Sequence, residues 1–166
     1  MALNFGTSAA LTFTSLNNLP SSTTQYAFAQ ARDTSTTNNI TDIMVSVKVT
    51  VGAITPSSST NVYVYAYGVE DSTGSPTYPG ASATAEVITG ADVTAASNVS
   101  ATSNNLKFLG CINCHTASVQ FKSEPMSLVS ALGMLPRKWG IVVQNQTGVN
   151  LAASGNGASA TEIYYN

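Results

Sequence analysis

The residues best suited to chemistry are Cys111-Ile112-Asn113-Cys114-His115, which hold both cysteines and the only histidine of the chain. C-x-x-C-H is the attachment pattern of haem c: two thioethers hold the vinyl groups while the histidine ligates iron from one side. Met126 or Met134 would have to supply the second axial ligand. Attachment of haem c follows export, however, and the N-terminus has no basic segment leading into an apolar run. A structural zinc site takes four ligands and one chain offers three here. Glu124, or symmetry-related chains around a trimer axis, would have to complete it. A redox pair needs a helix N-terminus or neighbouring cations to lower a thiol pKa, and the sequence offers neither. Cys111, Cys114 and His115 are therefore read as small buried thiols and a histidine in a loop between strands, and no cofactor or metal is expected.

Other catalytic patterns are weaker. There is no G-x-S-x-G elbow, and a serine triad would have to pair His115 with distant partners at no recognisable spacing. Asp42, Glu70, Asp71 and Glu86 could supply a glycosidase pair, but nothing sets two of them on one face at a defined separation. Gly155-Asn156-Gly157 lacks the lysine and helix of a phosphate loop. The sequons at Asn39, Asn98 and Asn145 are read as coincidences of a Ser/Thr-rich chain. The expectation is a protein that binds and does no chemistry.

The composition agrees. Of 166 residues, 43% are hydrophobic, enough for one core, but only 8% are charged, against about 25% in ordinary globular domains. Polarity comes from Ser, Thr, Asn and Gln, which suit strands, turns and surfaces that will be covered. The net charge is −2 and the six cations are scattered, with Arg137-Lys138 the only adjacent pair. Nucleic-acid binding needs clustered Lys and Arg and is not expected; nor is a membrane span.

The elements that must carry these residues are strands. Residues 42 to 51 alternate strictly, with Ile43, Val45, Val47, Val49 and Val51 apolar. Residues 61 to 69 put Val62, Val64 and Ala66 on one face and Tyr63, Tyr65 and Tyr67 on the other. That tyrosine row is either a second packed face or an intersubunit surface or ligand platform. Residues 138 to 143 form a strand in which Trp139 anchors the core with Ile141 and Val143. Asn145 to Gly148 is a turn, and residues 149 to 153 are read as the next strand. Shorter strands are expected at 26 to 29, 86 to 89, 106 to 112, 118 to 121 and 162 to 165. Residues 70 to 83 and 154 to 159 read as loops, and residues 127 to 133 as one helical turn or an extended approach. Residues 1 to 24 are an N-terminal arm or first strand. Nine or ten short strands without a helix of three turns predict a single all-β domain over 1–166, a sandwich or barrel.

Three stretches resemble a group of tailed-bacteriophage virion proteins. They are Leu-Pro-Arg-Lys-Trp-Gly-Ile-Val-Val-Gln-Asn-Gln-Thr-Gly at 135 to 148, Asn-Val-Tyr-Val-Tyr-Ala-Tyr at 61 to 67 with the acidic turn of Glu70, Asp71 and Gly74, and Leu-Lys-Phe-Leu-Gly at 106 to 110. The likeness covers residues 40 to 153. It implies a jelly-roll β-sandwich that decorates or cements a capsid, binding the major capsid protein or another virion protein as a homo-oligomer, often a trimer. It also implies a virion location after synthesis in the host cytoplasm, and carries no catalytic residues. The alternative from another class is a carbohydrate-binding or adhesive module of a tail or cell surface that uses Tyr63, Tyr65 and Tyr67.

Overall fold

The computed structural model describes residues 2–35, 39–57, 60–69, 88, 90–96 and 106–166. In chain order these form β1 (Leu3–Phe5), β2 (Ala9–Ala10), a 3-10 turn (Thr14–Leu16), β3 (Gln25–Phe28), β4 (Arg32–Asp33), β5 (Asn39–Thr50) and β6 (Asn61–Val69). They continue with β7 (Val93–Ala96), β8 (Lys107–Asn113), β9 (Gln120–Lys122), β10 (Met126–Ser127), α1 (Leu128–Leu132), β11 (Lys138–Gln146) and β12 (Gly157–Tyr165). The acidic turn of Glu70, Asp71 and Gly74, the carboxylate of Glu86 and the sequon at Asn98 lie outside the described residues, as does the strand expected at 86 to 89 apart from Ile88.

Two antiparallel sheets pack face to face. One runs β1-β12-β5-β10, with β2 beside β12 and β9 beside β5; the other runs β7-β3-β11-β6-β8, with β4 beside β11. Three of these positions are broken strands: β1 with β2, β3 with β4, and β9 with β10. Counting each as one, the first sheet reads first–eighth–third–sixth and the second reads second–seventh–fourth–fifth, with β7 added at an edge. This is jelly-roll order. The sandwich expected from the strand pattern is therefore present in its jelly-roll form.

The core lies between the sheets. Ile43, Val45, Val47 and Val49 project inward from β5 and are each at most 1% exposed, as strict alternation requires. Opposite them stand Val62, Val64 and Ala66 of β6 with Trp139, Ile141 and Val143 of β11, all in the same cluster. β11 is central, paired with β6 on one side and with β3 and β4 on the other. Both its faces are covered, which is why Gly140 to Val143 read as a continuous apolar run.

Local side-chain chemistry fixes the connections. Asn145 is fully buried: its Nδ2 donates to the carbonyls of Leu19 and Val149, and its Oδ1 accepts from the Thr147 N–H and hydroxyl. The turn ends at Gly148, φ +85°, where a glycine costs little. Residues 149 to 153 do not form the expected strand. They cross the end of the sandwich with one bridge, Val51 to Leu151, because Asn145 folds the chain back on itself. The return strand is β12, which starts at Gly157, within the stretch expected to be loop. Ser127 caps α1 by accepting from the Ser130 N–H, and Gly133 closes it in the left-handed conformation. Asp42 accepts from the Ser127 hydroxyl and the Val129 N–H. The long connection between β6 and β8 is latched at Asp92, whose carboxylate accepts from the Thr14 N–H and hydroxyl, both at 2.6 Å, and from the Ser15 N–H at 2.9 Å.

Candidate interaction surface

The C-x-x-C-H stretch ends in no common site. Cys111 stands opposite Tyr63 on β8 and is exposed, whereas Cys114 is buried in the core. Three residues apart in extended chain, the two sulfurs leave on opposite faces. One porphyrin or one metal ion would need both on the same side. Burial pushes the Cys114 thiol up to about 12, which favours its protonated form. Its sulfur lies 3.6 Å from the Ile112 carbonyl. His115 sits edge-on to Phe121 with ring centroids 5.2 Å apart, and its Nδ1 is 3.3 Å from Asn113 Oδ1. Glu124 is exposed. Among the described residues, no group of three or more His, Cys, Asp or Glu side chains is placed to hold a metal ion. The expectation of two buried thiols holds for Cys114 and is corrected for Cys111.

The tyrosine row is a packed face. Tyr65 and Tyr67 join Tyr26, Phe28, Val69 and Val142 in a second cluster on the outer side of the β7-β3-β11-β6-β8 sheet, covered by Ile88 and Leu106 of the β6–β8 connection. Tyr67 is 1% exposed; it stands opposite Gly140, and a Cβ on that glycine would run into the tyrosine ring. Tyr65 meets Tyr26 and Phe108 edge-on, with centroids 6.5 and 5.9 Å apart. Burial, and then the phenols of Tyr26 and Tyr63, push its hydroxyl above the usual tyrosine range. As interface candidates, Tyr65 and Tyr67 are thus corrected: their rings are spent on intramolecular packing. Tyr63 is half-buried beside the exposed Phe108.

An open apolar surface lies elsewhere, at the β1 edge of the first sheet. Leu3 pairs with Tyr165 and Phe5 with Ile163, so all four share one face. Glu162 pairs with the inward Ile43; Ile163, its neighbour, therefore points outward, and the other three follow it. Phe5 is 67% exposed, Leu3 50% and Tyr165 40%. Further in, the same face carries Thr161 opposite Met44 and Ser159 opposite Ser46. The result is an apolar strip bordered by hydroxyls and by the Asp42 carboxylate, which stands opposite Ile163. β1 is three residues long and has β12 as its one strand partner among the described residues. Short edges of this kind limit uncontrolled strand addition, and an exposed apolar strip is a candidate contact surface. No sequence signal singled out this strip, because Leu3-Asn4-Phe5 is too short to show a period.

Comparison with known proteins finds no matching family model, no matching curated protein and no matching solved structure.

Proposed function

We propose that the chain is a non-enzymatic structural component of a phage virion, a capsid cement or decoration protein that binds the major capsid protein shell as a symmetric oligomer. The observation that carries this reading is the strip of Leu3, Phe5, Ile163 and Tyr165, an open apolar surface bordered by hydroxyls and by one carboxylate, Asp42, which is already engaged by Ser127 and Val129. Covering it would release apolar area from water and strip few ions of their hydration. On a shell of repeated sites, modest contacts multiply into stable attachment. The resemblance of residues 40 to 153 supports the virion setting, and the jelly roll is compatible with it, although that fold also serves unrelated proteins.

Light scattering after size exclusion, together with sedimentation on capsids that lack decoration, tests the reading. The expected result is a mass near three times the 17.1 kDa chain or saturable co-sedimentation, either one abolished by Phe5→Asp without loss of the fold. A wild-type chain that stays at monomer mass and remains in the supernatant would overturn the proposal.

A further inference from the structure

Between the two sheets, at the end where β11 begins and β12 finishes, lies a cavity of about 120 Å³. Thr7, Arg32, Asp33, Trp139 and Glu162 line it, with Ile43 and two alanines as apolar wall. At about 30 Å³ per water, it has room for roughly four waters or for the hydroxyl-bearing end of a small molecule.

Its polar groups are poorly matched to one another. Asp33 pairs with Lys138 at 3.6 Å, the one ion pair among the described residues. Arg32 and Glu162 border the same space without approaching within the 4.0 Å of an ion pair. Trp139 is 2% exposed and its indole N–H has no acceptor, although buried donors are paired in nearly all folded proteins. A guanidinium and a carboxylate thus border one cavity without an ion pair between them, and Trp139 walls it.

The charges select the ligand class. Arg32 balances Glu162, and Lys138 balances Asp33, so a lone anion or metal ion would leave a charge uncompensated in a partly buried site. A neutral molecule with adjacent hydroxyls fits, because each hydroxyl both donates and accepts: one donates to Glu162 while its neighbour accepts from Arg32. We propose that this cavity binds the terminal hydroxyls of a neutral sugar or polyol, the rest of the molecule extending into solvent past Thr7. The site is separate from the tyrosine row, which lies on the far face of the second sheet. It also stands apart from the assembly reading, since sugar binding and solution mass are read independently.

The single tryptophan makes the test direct, because the whole chain gives one indole ¹H–¹⁵N resonance. That resonance is followed while the protein is titrated separately with glucose, galactose, N-acetylglucosamine, glycerol, glycine and phosphate. The expected result is saturable displacement by at least one sugar or by glycerol, weakened at least tenfold in Glu162→Ala and unchanged in Tyr63→Ala. Thr7→Val, at an exposed position, should weaken binding several-fold and replaces Glu162→Ala if that variant fails to fold. No saturable displacement by any hydroxylated probe would overturn the proposal, as would displacement by glycine or phosphate alone. Equal binding by the wild type and by the folded cavity variant would overturn it too.

Discussion

The two faces of the β7-β3-β11-β6-β8 sheet are packed by different means. The inner face carries Val62, Val64, Ala66, Ile141 and Val143 against the aliphatic side chains of β5 and β12. The outer face carries Tyr26, Phe28, Tyr65 and Tyr67 beneath Ile88 and Leu106. A regular sheet at constant spacing is met by small branched residues that interdigitate in layers. On the outer face the described cover is the side chains of Ile88 and Leu106. Large rings reach these few side chains, and phenol hydroxyls can hydrogen-bond at the margin. The difference teaches that apolar alternation finds both faces but cannot say which one meets a sheet. It also predicts a hierarchy of stability, with the inner face failing globally and the outer face able to open locally.

The sharpest way to break the inner face is Trp139→Ala, which should cost roughly 3–5 kcal/mol in urea unfolding; an unchanged midpoint would remove Trp139 from the core. Gly140→Ala tests the outer face, since the new methyl meets the Tyr67 ring across the strand pair. Overpacking of this kind costs about 1–3 kcal/mol, and Tyr67→Leu in the same chain should recover part of it.

Below these comes the Asp92 latch. Burial alone would raise the Asp92 carboxyl, but the hydrogen bonds from Ser15 and Thr14 outweigh it and hold the group below the usual carboxylate range. Its stabilisation is therefore present above the unfolded-state pKa and is lost as pH falls through the lower folded value. Amide exchange in the β3–β7 ladder should quicken at that acid step while the β5–β12 ladder stays protected. Asp92→Asn should abolish the step, and identical acid profiles in the two proteins would show that the latch bears no load.

The smallest effect is expected at Cys111→Ser, within about 0.5 kcal/mol of wild type for an exposed site. A thiol reagent should label one sulfur per folded chain, Cys111, and reach Cys114 only on unfolding. Labelling of both at equal rates would contradict the placement of the two sulfurs on opposite faces.

Much of the frame was legible before any coordinates. Strict alternation locates β5 and β6, and the Trp139, Ile141 and Val143 face of β11 is legible in the sequence and lies in the core. One cause of failure is that period-two reasoning needs several turns of the pattern. β1, β2, β4 and β10 are two or three residues long and show none. Residues 154 to 159 read as loop because small residues signal turns, yet β12 starts at Gly157, and Ala158 and Ala160 are buried opposite Val47 and Val45, where little more than a methyl fits. Residues 149 to 153 looked like a strand because nothing local reveals that Asn145 holds both the Leu19 and Val149 carbonyls. The apolar strip stayed hidden because half of it lies near each end of the chain.

Tyr67 lying over Gly140 does more than fill space. β6 and β11 are each nine residues long and carry apolar residues on both faces. Sliding one past the other by two residues would keep every side chain on its proper side. Alternation cannot detect that error. In the native pairing the ring lies over the one residue of β11 that has no side chain; two steps away it would meet Val142 or Lys138. The pair works as a keyway, telling two long and otherwise interchangeable strands where to stop.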